Sequence, residues 1–185
     1  MNFSNRILVG GLLLLMSLAS PLVAADYLPE SASSDSGLAP LIDIRNARRV
    51  FPGILTGGQP TNAQLIEAQQ KGFKTIINLR SAAEMQGSNE PEQVRALGMN
   101  YITIPVAGAG DINHLNSQRL VEALRDQKQH PVLVHCASGN RVGALFALDA
   151  AVGAALPIEQ AIAVGKLAGM TGLEAVVRIR LERME

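Results

Sequence analysis

The chain of 185 residues has one cysteine, no tryptophan, two tyrosines and four phenylalanines. With a single cysteine it cannot close an internal disulfide, so any stability must come from its core. So few aromatic rings leave little equipment for stacking on bases. Charge of one sign is lacking too, with 16 Lys and Arg set against 16 Asp and Glu. That balance removes any general electrostatic reason to bind nucleic acid or an acidic membrane surface, so an affinity for anions has to be local. Long apolar runs are short of a membrane span. The stretch from Ile7 to Leu18 falls below the roughly 20 residues that crossing requires.

That stretch has another reading. Residues 1–25, "MNFSNRILVGGLLLLMSLASPLVAA", hold one cation, Arg6, then an apolar core, then small residues. This is the layout of a secretory signal, with cleavage expected after Ala25 and a periplasmic or secreted location for the rest. A retained anchor is the alternative. Residues 26–40, rich in Ser and Pro, read as a flexible leader. Residues 41–185 are expected to form one domain.

Within that domain, short apolar runs alternate with helical patterns. Strands are expected at residues 54–56, 74–79, 99–106 and 131–135. Helices are expected at residues 61–71, 91–97, 116–127 and 140–153, then at 158–167 and 173–183. Thr61 with Gln64, and Thr171 with Glu174, have the spacing of capping boxes. Strands separated by helices point to an α/β sheet, mostly parallel, of four to five strands with helices on both faces. Such sheets bind ligands beyond the carboxyl ends of their strands.

"VLVHCASGNRVG", residues 132–143, lies at such a place. A strand, a tight loop and a helix start turn successive backbone N–H groups inward, and the helix N-terminus adds partial positive charge. Gly139 allows the turn. Arg141 offers a planar fork of donors suited to phosphate or sulfate oxygens. Cys136 at the mouth is expected to react as a thiolate. Ala137, Ser138, Gly139 and Asn140 would line the anion site, and His135 would stiffen the loop through its backbone, or simply end the strand. No metal is implied: His114 and His130 are too scattered to join Cys136.

"HCASGNR" resembles the signature loop of the cysteine-dependent phosphatase superfamily. "TGGQPTNAQLIEAQQKGFKTIINLRSAAE", residues 56–84, is similar to the front half of a bacterial group of dual-specificity-phosphatase-like domains, the group also found fused to beta-lactamase-hydrolase-like proteins. The likeness covers about residues 50–155. It implies the protein-tyrosine-phosphatase-like fold, no cofactor, a phosphorylated protein or small molecule as substrate, Cys136 as nucleophile through a phosphocysteine, and Arg141 clamping the phosphoryl oxygens. It also implies a proton donor on the loop after "IPV". The only acid there is Asp111, three residues beyond the expected place, which could equally cap the next helix. Arg80 could bind substrate phosphate, or pair with Glu84 four residues on.

Two departures leave alternatives open. Four residues, not five, separate Cys136 from Arg141, a spacing that resembles single-domain rhodaneses with a persulfide on the cysteine. Val142 stands where phosphatases carry a hydroxyl. A sulfurtransferase and a non-catalytic anion-binding module are therefore the competing readings.

Overall fold

The computed structural model describes residues 37–183. Residues 1–36, which include the expected signal and most of the expected leader, lie outside the described residues.

Five strands form one sheet among these residues: β1 (Arg48–Phe51), β2 (Ile54–Gly57), β3 (Thr75–Asn78), β4 (Asn100–Thr103) and β5 (Val132–His135). Their order is β1-β2-β5-β3-β4, with β1 antiparallel to β2 and the other pairs parallel. Six helices accompany them: α1 (Asn62–Gln70), α2 (Glu90–Ala96), α3 (His114–Leu124), α4 (Asn140–Val152), α5 (Ile158–Leu167) and α6 (Glu174–Glu182).

Period-two alternation in the strands sorts side chains onto two faces. Ile77, Val132 and Val134 pack with Leu120 of α3, Leu145 and Phe146 of α4, Ile162 of α5 and Val177 of α6. Leu55, Ile76 and Leu133 pack on the other side with Leu65 of α1 and Val94 of α2. The α/β sheet with helices on both faces is thus the observed fold. Helix α4 is apolar nearly all round and fully sandwiched, nine of its residues being buried. It lies so close to α5 that a Cβ added at Gly143 would stand 2.4 Å from the Gly165 carbonyl oxygen.

Several local expectations are corrected. Strand β1 had no expected counterpart; its "RRVF" is half exposed, charged, and irregular in register against β2. Helix α3 starts at His114 rather than residue 116, because Asn113 accepts from Asn116 N and caps it. It also stops at Leu124, and residues 127–129 form a separate 3₁₀ turn started by Asp126. The Thr61–Gln64 capping box is present. The Thr171–Glu174 box is not: α6 follows Leu173 without a side-chain cap, and Glu174 pairs with Lys166 and Arg178 instead.

Candidate active site

The carboxyl ends of β2, β5 and β3 meet at one rim, because Gly57 and Asn78 both stand opposite His135 in register. Cys136 follows directly and is buried. The chain then turns through Ala137 and Ser138 to Gly139, whose φ of 83° is left-handed, and α4 begins at Asn140. This turn aims the Gly139 N–H at the sulfur, 3.2 Å from Cys136 Sγ. Val142, in the first turn of α4, is fully buried in the core. Its apolar side chain serves packing.

Arg141 is the most firmly held side chain here. Its Nη2 donates to Glu84 Oε1 at 2.6 Å, and its Nη1 donates to Glu84 Oε2 at 2.7 Å and to the Val106 carbonyl at 2.6 Å. Glu84 also accepts from Ser81 N and Ser81 Oγ, each at 2.9 Å. The Arg141 bonds, aided by those from Ser81, hold the Glu84 carboxyl down at about 2, against the opposing effect of burial. In return Glu84 holds the Arg141 guanidinium above its ordinary value, burial opposing and Cys136 reinforcing. A bidentate fork of this kind fixes the guanidinium plane before any ligand arrives.

The loop bearing Asp111 springs from this clamp, since Val106 lends its carbonyl to Arg141. Residues 109–111 form a 3₁₀ turn, and Asp111 Oδ2 accepts from the Ala107 N–H at 2.8 Å. Asp111 therefore fastens its own loop; Asn113, not Asp111, caps α3.

Beneath the cysteine lies a buried polar network. His135 Nε2 is 3.0 Å from Glu90 Oε1, which also accepts from Tyr101 at 2.8 Å. Gln59 donates to the other Glu90 oxygen and accepts from Arg80 Nη1 at 2.9 Å. Burial pushes the Glu90 carboxyl up, but its bonds to His135, Tyr101 and Gln59 outweigh this and hold it below the usual range. Burial first, then the neighbouring Glu90 charge, pushes the Tyr101 phenol up. The expected role of His135 is corrected accordingly, because its ring bonds to Glu90 of α2 rather than to the backbone of the Cys136 loop.

Arg80 sits at the same rim, and of its two expected roles the pairing with Glu84 is the one seen. Its guanidinium donates to Gln59 and to the Glu84 carbonyl, while Nε stands 3.8 Å from Glu84 Oε1. The carboxylate of Glu84, however, belongs chiefly to Arg141. No group of three or more His, Cys, Asp or Glu able to hold a metal ion occurs among the described residues.

A family described as DSP-PTPase phosphatase fused to NAD+ kinase matches residues 43–174, most of the chain. The chain belongs to this phosphatase family. It is 30% identical over 132 residues to a beta-lactamase hydrolase-like protein of Xylella fastidiosa, covering 69% of this chain and 30% of that relative's own length. It thus spans less than a third of the curated relatives it matches. Among solved structures, P. aeruginosa TpbA in complex with pTyr has a TM-score of 0.59 at 15% identity, covering 80% of this chain and 91% of that one. The core catalytic domain of the PP-IP phosphatase SIW14 from S. cerevisiae has a TM-score of 0.54 at 14% identity, covering 76% and 88%. These likenesses make the fold that of the cysteine-dependent phosphatases.

Within that fold, Cys136, Arg141 and Arg80 were legible in the sequence. Glu84, Gln59 and Glu90 were not. Glu84 was visible only as an i+4 neighbour of Arg80, and its bond to Arg141 spans 57 positions. No local pattern reports a pairing of that range.

Proposed function

We propose that this member of the phosphatase family hydrolyses phosphomonoesters through a phosphocysteine on Cys136. The observation that carries the reading is the Gly139 N–H directed at Cys136 Sγ at 3.2 Å, beside an Arg141 already locked by Glu84. In the first step the Cys136 sulfur attacks phosphorus and the bond to the leaving oxygen breaks. Arg141 and the loop amides between Ala137 and Arg141 hold the three equatorial oxygens. Asp111 supplies the proton to the leaving oxygen, and Oδ1, outside its bond to Ala107, is the atom available for this. Water then attacks phosphorus and gives a proton to the Asp111 carboxylate, the S–P bond breaks, and phosphate leaves. Arg80 supplies a second cation at the rim for the substrate.

The substrate is a phosphorylated protein or small molecule, and the enzyme works in the periplasm or outside the cell after cleavage following Ala25. What supports the location is the pattern of residues 1–25 alone.

One side-by-side assay tests the reading. Purified chain lacking residues 1–25, and its Cys136→Ser variant, are given p-nitrophenyl phosphate with chelator, and separately thiosulfate with an acceptor. Phosphate release that disappears in Cys136→Ser is the expected result. A persulfide on Cys136, seen as one added sulfur by intact mass and without phosphate release, would overturn it in favour of sulfur transfer.

A further inference from the structure

We propose that Asn46, 92 positions before Ser138, is a positioning residue for Cys136, acting by turning one peptide group of the anion loop. This rests on the reading of Cys136 as the reactive thiolate of that loop.

Asn46 precedes β1 and has a φ of 55°, a left-handed conformation that asparagine tolerates better than other side-chain-bearing residues. That conformation sends its carboxamide to the outer side of the Cys136 loop. Both hydrogens of Nδ2 are used there, one on the Ser138 carbonyl at 3.0 Å and one on the Gly169 carbonyl at 2.8 Å. Ser138 and Gly139 share a planar trans peptide, so its C=O and N–H point in opposite directions. Pinning the Ser138 oxygen outward onto Asn46 therefore drives the Gly139 N–H inward. Inward is where Cys136 Sγ lies, at 3.2 Å. The amide that faces the sulfur is set by a side chain on the far side of the same peptide plane.

Steric evidence agrees with the bonds. Gly139 and Gly169 both have left-handed backbone, at φ 83° and 108°. A Cβ at either would stand 2.8 Å or 3.0 Å from Asn46 Nδ2. Both glycines are thus required by the carboxamide between them as well as by their own turns. The adjoining residue strengthens the grip, because the Arg45 carbonyl accepts from Gly58 N at 2.7 Å, and Gly58 is bridged to Ser138.

A merely structural role would be to tie the chain to the turn between α5 and α6. Thr56 does that alone: its hydroxyl donates to the Ala168 carbonyl at 2.9 Å and makes no bond to the loop. The comparison of Asn46→Gly with Thr56→Val separates the two roles. Glycine keeps the left-handed backbone and removes the amide. The readout is the rate of Cys136 alkylation by iodoacetamide from pH 5 to 9, followed by intact mass, beside the melting temperature.

Asn46→Gly is expected to slow alkylation about tenfold relative to wild type at pH 6 and to change it little at pH 9, as expected for one lost hydrogen bond to a charged sulfur. Thr56→Val is expected to lower the melting temperature and leave the pH profile in place. A folded Asn46→Gly with the wild-type profile overturns the proposal, as does an equal displacement in Thr56→Val. Should the glycine variant not fold, Asn46→Ala, which removes both donors and adds no charge, is read in the same way. In the wild type itself, the Asn46 side-chain amide protons should exchange slowly with solvent; exchange at the rate of a free carboxamide overturns the proposal without any variant. Alkylation needs no substrate. A wild type that releases no phosphate would therefore end the phosphatase reading while leaving this comparison decisive.

Discussion

Replacing Glu84 by glutamine removes a charge while keeping nearly the same shape. Two of the four hydrogen bonds its carboxylate accepts come from Arg141 and two from Ser81, the latter both on Oε2. Glutamine has one acceptor oxygen and one NH₂ group. If the NH₂ group takes the Oε1 place it faces Arg141 Nη2; if it takes the Oε2 place it faces Arg141 Nη1 and both Ser81 donors. Either way at least one bond to Arg141 becomes a meeting of two donors. A hydrogen bond to a charged group contributes about 1.5–3 kcal/mol. Glu84 keeps 31% of its side-chain surface exposed, so solvent screening argues for the lower end of that range. The expected outcome for Glu84→Gln is a fall in kcat/KM for an aryl phosphate of about tenfold, since about 1.4 kcal/mol is a factor of ten. Arg141 would remain charged but lose its fixed plane.

A second readout of the same variant comes from acid unfolding. The Glu84 carboxyl sits at about 2 when folded, against an ordinary value of 4.5. Between those values the unfolded chain binds the proton and the folded one does not, so stability rises with pH across that window. The contribution is fully present above about 4.5 and is lost as pH falls through about 2. Denaturant midpoints measured from pH 2 to pH 5 should therefore climb more steeply in wild type than in Glu84→Gln. Unchanged kcat/KM together with an unchanged acid slope would refute the assignment of Glu84 as the clamp on Arg141.

Three other outcomes are expected. Asp111→Asn should lower kcat far more for alkyl phosphates than for p-nitrophenyl phosphate, whose leaving group needs little protonation; equal losses on both would remove Asp111 as proton donor. Gly143→Ala should destabilise by about 3 kcal/mol or more in chemical denaturation, the upper end for overpacking, because its Cβ would stand 2.2 Å from Met170 N and 2.4 Å from the Gly165 oxygen; a neutral result would show that α4 and α5 separate easily. Glu90→Gln should lower the melting temperature, since a carboxylate bonded to buried His135 and to Tyr101 and Gln59 is replaced by an amide that can satisfy only some of them; a melting point equal to wild type would mean the network rearranges at no cost.

What the sequence discloses follows the range of each interaction. The Cys136 loop was readable because its strand, turn glycine, arginine and helix are consecutive. The Thr61–Gln64 box was readable for the same reason, and it formed. Thr171 and Glu174 have the same local pattern, yet no box forms, since cations at Lys166 and Arg178 draw Glu174 away. Strand β1 was illegible because "RRVF" lacks alternation and gains its order from pairing with β2. The residues that hold the site firm are bonded over 31 positions for Gln59 with Glu90, 45 for His135 with Glu90, and 57 for Arg141 with Glu84. Only the folded sheet brings those partners to one rim.

Those long-range bonds have a common direction. Glu84 grips Arg141 from the loop after β3, and Arg141 in turn holds the Val106 carbonyl at the root of the Asp111 loop. Glu90 grips His135, which leads directly into Cys136, and holds Gln59, which holds Arg80. Each carboxylate thus fixes a part of the rim by accepting from the side chains that form it. Burying Glu90 costs solvation, and the bonds it accepts offset that cost only if all are made together. The arrangement is better suited to fixing geometry than to adding stability. Phosphoryl transfer asks little covalent chemistry of a protein and much positioning. If the proposed chemistry holds, a rim whose cations are oriented before a phosphate arrives leaves less reorganisation to the transition state, and this gives the two carboxylates, one buried and one half-buried, a physical reason.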